Sequence, residues 1–509
     1  MKLKILASFI ATALLTVLVI PFHLAAQEQE DKKEQKTKHH HYKLIEMSTF
    51  GGPNSYFTFI SRPLNKHGVA AGMADTPAAV NPPLCLVDCF LTHAFLWKHG
   101  VITDLGALPG IGGSFVNDIN GKGVVTGMSL NGRTTPVLGG LPLFDAVVWK
   151  DGELTDLGTF GGPASYAGAI NDHDQVVGFA LNSTPDSFDL GSSCQNFPMP
   201  TQMHAFIWHE GFSRDLGTLG GTDSCALFIN ERGQVAGNSF TNTVVNPGTG
   251  LPTLHPFLWD GDEMKDLGTL GGTLAFANGI NNRGQIAGAS TLAGDSAYHA
   301  FLWDKEKLTD FGTLGGSFVE VVGLNETGEM VGQAQLPNSQ TLHAFLAKNG
   351  GMTDLGTLDG NPCGLAISIN AHSQIVGFSH DCSLNNAHAF LWEDGHMIDL
   401  NTLVPSYSAL TLTEATFIND SGEITAERVL SNGDQRAVLL IPCDDHHPGI
   451  EGCDYDEVEV TAEAPVRSAQ NAPASAAASA AKLSVAEMLK RSRFSMASRY
   501  RRFGAIPLR

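Results

Sequence analysis

Apolar residues between positions 42 and 442 fall in short runs bounded by Asn, Asp and Gly clusters, and the 3.6-residue spacing of a helix face is missing. Runs of this kind read as strands joined by tight turns. The runs also repeat. Residues 299–332 and 204–237 are two copies of one unit: His-Ala-Phe-Leu-Trp or a close variant, a turn, Asp-Leu-Gly-Thr-Leu-Gly-Gly or a close variant, then Ile-Asn-x-x-Gly. Eight Asn boxes lie at Asn65, Asn120, Asn171, Asn230, Asn281, Asn325, Asn370 and Asn419, spaced 44–59 residues apart. A period of that length marks a repeat architecture.

Each copy holds two hairpins. In the first, the Asn of Asn-x-x-Gly bonds its own backbone and a glycine accepts positive φ. Seven residues after each Asn stands Gly72, Gly127, Gly178, Gly237, Gly288, Gly332 or Gly377, with Ala426 in the last copy. In the second hairpin the aromatic box leads through a turn to an acidic residue eleven positions on. All six tryptophans end an aromatic box. Four strands per unit of about 40–50 residues is the signature of a propeller blade.

The two ends of the array are complementary. The first copy lacks its aromatic strand and begins at Tyr42-Lys43-Leu44-Ile45-Glu46-Met47; the last lacks the strand that follows and ends at Arg436-Ala437-Val438-Leu439-Leu440-Ile441. Pairing them completes an eighth blade and removes two exposed edges. The expected fold is therefore all-β: an eight-bladed β-propeller of four-stranded blades over residues 42–442, closed by its own N- and C-terminal strands.

The tandem His-Ala-Phe box with Asp-Leu-Gly-Thr-Leu-Gly-Gly resembles the HAF family of bacterial extracellular repeat proteins, over about four-fifths of the chain. The resemblance implies a secreted, β-rich repeat protein and carries no common biochemistry.

Charge and leader change the picture in two ways. The net charge is −21 over 509 residues, but residues 27–464 hold about −31 and residues 465–509 about +8. So acidic a body excludes nucleic acid as its partner, because that affinity comes from Lys and Arg on phosphates. Residues 1–26 read as a signal peptide: Lys2 and Lys4, an apolar stretch from Ile5 to Ile20, and a cleavage site after Ala26. Export, to the periplasm or the extracellular space, follows. Residues 27–41 read as a charged flexible leader. Eight cysteines in an exported chain favour disulfides, and neighbour pairing suggests Cys85–Cys89, Cys194–Cys225, Cys363–Cys382 and Cys443–Cys453.

The repeated His and Asp invite a catalytic reading: His93 with Asp104, His204 with Asp215, His255 with Asp266, His299 with Asp310, His343 with Asp354 and His388 with Asp399. An active site is singular and this pair recurs six times, so a strand-orienting bond is the expectation and no catalytic residue is assigned. A two-residue turn at Asp260-Gly261 would set His255 directly opposite Asp266. The run His39-His40-His41 lies in the leader and is assigned no metal, and no cofactor motif is present.

The segment between the Asn hairpin and the next aromatic box breaks the pattern. Its spacing is 21, 18, 26 and 18 in the first four copies and 11, 11, 11 and 10 in the last four. The long versions, Met73–Thr92, Met128–Phe144, Phe179–Met203 and Asn238–Leu254, crowd one half of one face. Leu84, Leu86, Val137, Leu141, Phe188 and Phe197 are their candidate ligand-contacting residues, since rigid scaffolds carry binding on loops. The expected function is that of a monomeric binding or scaffold propeller for a surface glycan or an exported protein; the alternative is a glycosidase or lyase on the same ring. After the ring, residues 443–483 read as an acidic then Ala/Ser/Pro-rich linker. Residues 484–509 form a basic amphipathic tail opened by a capping box, Ser484 with Glu487, suited to an anionic surface or to the acidic propeller itself.

Overall fold

The computed structural model describes residues 36–461 apart from 58–61, 82–88, 136–139, 189, 191–193, 195–198, 359 and 406–410. Eight four-stranded antiparallel units account for almost all of it. In blades 1–7 the strands hydrogen-bond in chain order, as in Ser114–Ile119, Val125–Thr135, Leu141–Lys150 and Glu153–Asp156 of blade 2. Blades 4 and 5 are also joined by one parallel bridge, Leu254 to Leu274. Blade 8 consists of Thr411–Ile418, Ile424–Val429, Gln435–Pro442 and, from the other end of the chain, Tyr42–Glu46. Tyr42 pairs with Pro442 and Glu46 with Val438.

A circuit of side chains closes the ring independently. The Nδ2 of Asn65 donates to the carbonyl of Asn120, Asn120 to Asn171, Asn171 to Asn230, and Asn230 to Asn281, at 3.0–3.1 Å. Asn281 donates to Asn325, Asn325 to Asn370, Asn370 to Asn419, and Asn419 back to Asn65, at 3.0–3.2 Å. Eight donors and eight acceptors admit neither a seventh-blade closure nor an open end. Each Asn thus does two jobs. Its Oδ1 accepts backbone N–H groups within its own turn, as Asn281 does from Arg283 and Gln285, while its amide ties that turn to the next blade.

The fourth residue of each Asn turn sits at positive φ in every blade, from Asp174 and Ser373 at 61° to Gly123 and Gly328 at 86°. The second conserved spacing has a different cause from turn geometry. A Cβ on Gly288 would lie 1.9 Å from the carbonyl oxygen of Phe276 and 2.7 Å from the ring of Phe301. The first strand bulges here, between Ala277 and Gly279, and brings its backbone onto the second.

The aromatic boxes build the inter-blade core. Phe95, Phe206, Phe257, Phe301, Phe345 and Phe390 are buried, each worth about 1.5–3 kcal/mol of transfer. The tryptophans close the outer seams. The Arg214 guanidinium stands 5.2 Å over Trp259 and the Lys265 ammonium 5.7 Å over Trp303, each reaching from the outer strand of the preceding blade.

The leader is not wholly free. Lys36–His39 forms a two-stranded ribbon with Val458–Thr461, outside the ring. His39 is buried, its Nδ1 2.5 Å from Glu393. Strand structure thus extends six residues before Tyr42 and reaches Thr461, inside the stretch read as linker. Residues 1–26, read from sequence as a signal peptide, and the basic residues 484–509 lie outside the described residues.

Candidate functional site

Strand direction divides the ring into two faces. The Asn turns and the turns after the aromatic boxes lie on one, the turn face. The variable loops and the Asp-Leu-Gly-Thr-Leu-Gly-Gly connections lie on the other, the loop face.

The six His–Asp pairs sit at the loop-face edge of the outer strands. Nδ1 meets a carboxylate oxygen at 2.9 Å in His93–Asp104, 2.8 Å in His204–Asp215, 2.7 Å in His255–Asp266 and 2.9 Å in His299–Asp310. The distance is 3.0 Å in His343–Asp354 and 3.2 Å in His388–Asp399. The pairing is diagonal throughout. Asp266 stands across from Phe257, not His255, because the hairpin turn after Trp259 spans four residues before Met264. Each carboxylate also accepts a backbone N–H two residues on, as Asp310 does from Gly312 at 2.7 Å. Burial pushes Asp215, Asp266 and Asp310 up, but the bonds from histidine and glycine outweigh it and hold all three below the usual range. Asp215 in turn raises His204. In blade 2, Asp145 replaces the histidine and takes a bond from Asn131 at 2.9 Å. Burial raises its pKa, and neighbouring Asp156 adds to the rise. Each of these repeated pairs ties the third strand of its blade to the fourth.

The long loops are not free fingers; three of them lie across the following blade. From the second, Asn131 Nδ2 and Arg133 Nη1 both donate to the carbonyl of Pro163 in blade 3, at 3.0 and 3.1 Å. The third is tied to the first strand of blade 4 by the disulfide Cys194–Cys225. The fourth reaches blade 5, where Asn246 Nδ2 donates to Thr273 Oγ1 at 2.9 Å and to Asp295 Oδ2 at 3.2 Å. In the first, Asp75 is fully buried and accepts from Tyr56 Oη and Thr92 Oγ1, both at 3.1 Å.

The structure redistributes the candidate ligand-contacting residues. Phe188 turns inward, edge-on to Phe240 at 6.2 Å between centroids, and is part of the packing under the third loop. Leu141 begins the third strand of blade 2. Leu84, Leu86, Val137 and Phe197 lie outside the described residues. Among the described residues of these loops the exposed apolar pair is Val244 and Val245, 74% and 44% exposed, beside the pinned Asn246. Two adjacent valines between Asn242 and Pro247 were the available sequence signal, hidden by the small size of the side chains. Cys363–Cys382 and Cys443–Cys453 are also disulfides. Cys89 is disulfide-bonded, and Cys85 lies outside the described residues.

Under the third loop, Asp223 is fully buried. Burial pushes its pKa up to about 6; Asp186 adds to the rise, while Thr222 and the Met203 N–H oppose it. A carboxyl whose folded pKa exceeds its unfolded value of 3.8 adds stability below that value, and the contribution is lost as pH rises through about 6. Asp223→Asn is therefore expected to be more stable than the native protein at pH 8, by roughly 2–3 kcal/mol, with the difference shrinking towards pH 4. Urea titrations at both pH values check it; an advantage that does not change with pH would refute the assignment.

The turn face holds a feature no local pattern announced. A cleft of about 680 Å³ opens between blades 7 and 8, where the ring closes. Five carboxylates line it: Glu393, Asp394, Asp420, Asp444 and Asp445. Its histidines are His40, from the leader, His372, and His446 with His447, from the loop closed by Cys443–Cys453. Nδ1 of His447 is 2.8 Å from Asp444. Among the described residues no three His, Cys, Asp or Glu side chains are grouped to hold a metal ion.

No known family profile and no curated protein matches the chain. Among solved structures it is similar to the Dos1 propeller, with 13% identity over 79% of this chain and 95% of that one, at a TM-score of 0.38. It is also similar to TolB from Acinetobacter baumannii, with 12% identity over 73% and 79%, at 0.30. The acylaminoacyl peptidase of Pyrococcus horikoshii shares 12% identity at 0.39 over 74% of this chain, which spans 58% of the peptidase. Values this low carry no argument about function. The eight-bladed ring rests on its own strand pairing and its closed asparagine circuit.

Proposed function

We propose that this is an exported, monomeric binding propeller of the HAF type, which engages a surface glycan or another exported protein through the loop face of blades 1–5. The observation that carries the reading is the pinning of the long loops. Insertions that merely drift would not be fastened to the following blade in three of four copies, by a disulfide or by side-chain amides, with an exposed Val244–Val245 pair held beside one fastening point. Loops ordered in advance lose less entropy on binding. The three described disulfides fit an oxidising compartment.

A glycan array probed with the native chain and with V244S/V245S tests this. The expected result is a defined set of hits that weaken at least tenfold in the variant, whose thermal midpoint is unchanged. Hits indifferent to the substitution, or no hits, would count against it. Shortened glycans in the mass spectrum after incubation would support a carbohydrate-active enzyme instead.

A further inference from the structure

The blade 7–8 cleft lies on the face opposite the long loops and plays no part in the proposed binding. It carries five carboxylates, and among the described residues no lysine or arginine lines it. Among the described residues, Asp394, Asp420 and Asp445 are exposed and make no ion pair with either cation. Asp420 Oδ1 accepts only the backbone N–H of Ala371, at 2.9 Å. So much unpaired negative charge in a concave site calls for a cationic occupant.

The path of the chain supplies one. After the Cys443–Cys453 loop, Val458–Thr461 pairs with Lys36–His39, placing Val458 opposite His39. His39 rests on Glu393, in the cleft wall, and His40 lines the cleft itself. The described chain therefore ends a few residues from the cleft. Residues 462–483 are an Ala/Ser/Pro-rich segment, and residues 484–509 carry Lys490, Arg491, Arg493, Arg499, Arg501 and Arg502. Twenty-two residues of random coil span an end-to-end distance of roughly 25 Å, ample to return to the cleft. Exposed ion pairs are individually weak, but a tether converts several of them into an intramolecular contact at millimolar effective concentration.

We propose that the basic segment 484–509 docks in the blade 7–8 cleft of its own chain, its arginines pairing with Asp394, Asp420 and Asp445. The +8 of residues 465–509 then covers part of the −31 of residues 27–464. Docking holds the tail against the turn face and leaves the loop face open.

Carbodiimide coupling of the full chain, read by mass spectrometry, tests the proposal. Lys482 and Lys490 should couple within one molecule to Asp394, Asp420 or Asp445. That yield should fall at least fivefold in 0.5 M salt and in D394N/D445N, with the thermal midpoint unchanged. Hydrogen exchange at residues 371–374, 393–394 and 420–422 should quicken when the chain is ended at residue 483. Coupling scattered over the ring, coupling between isotopically distinct molecules, or exchange indifferent to the tail would overturn it. So would tail-dependent binding to phosphatidylglycerol vesicles that D394N/D445N leaves unchanged while intramolecular coupling is absent.

Discussion

Gly288→Ala is expected to destabilise the ring by about 3 kcal/mol or more, the upper end of what overpacking costs. The added Cβ would meet the Phe276 carbonyl oxygen at 1.9 Å and the Phe301 ring at 2.7 Å. A ring can turn away; a bulged strand cannot move without breaking its ladder with Ile286–Leu292. G288A/F301V should therefore recover only part of the loss. Blade 8 tolerates Ala426 at this position, and the differences there are instructive. Its aromatic box holds Val438 where the others mostly hold Phe, and its first strand has a second register shift, between Leu412 and Glu414. Blade 2 has Val147 in the box but keeps Gly127, whose Cβ would sit 2.0 Å from the Phe115 carbonyl. The smaller box residue alone does not release the glycine; the backbone approach decides. Equilibrium urea unfolding of G288A and G288A/F301V measures both terms, and full rescue by the valine would show that the ring clash dominates.

The repeat was legible because its cause is local. A turn that needs Asn at its first position and positive φ three residues later recurs wherever that turn recurs, so eight copies announce eight blades. Closure was legible for the same reason, since each end of the chain lacked the strand the other held. The work of the Asn side chain was half visible. Its bonds within the turn follow from sequence, while its donation to the next blade depends on how blades are inclined in a ring. The diagonal His–Asp pairing was missed in blade 4 because a Gly after Asp260 reads as a two-residue turn, whereas the hairpin uses four residues. Phe188 looked exposed because a long polar loop surrounds it; its partner Phe240 is 52 positions away. The cleft was illegible for a deeper reason. His40, His372 and His446 come from the leader, a blade turn and a disulfide loop, and only the closing of the ring brings them together.

That circuit also yields the sharpest test of the ring. Asn281→Ala is expected to cost about 3–4 kcal/mol, well above the roughly 1 kcal/mol expected for His299→Ala at its half-exposed pair with Asp310. Asn281 is 3% exposed. Its amide donates to the Asn325 carbonyl at 3.0 Å and to Gln285 Oε1 at 2.8 Å, and its Oδ1 accepts from Arg283 and Gln285 at 3.1 and 3.0 Å. Alanine removes all four bonds and strands the Asn325 carbonyl in a buried seam, where an unmet polar group costs about 1–3 kcal/mol. Asn281→Asp separates the two jobs of the side chain. Aspartate still accepts within its own turn but sets a carboxylate against the Asn325 carbonyl, so the turn survives while the link to the next blade becomes repulsive. If inter-blade donation holds the ring together, N281D should be at least as destabilised as N281A at pH 7 and should recover as pH falls and the carboxyl gains a proton to donate. If N281D matches the native protein in urea unfolding at pH 7, the turn is what matters and the circuit is incidental to closure.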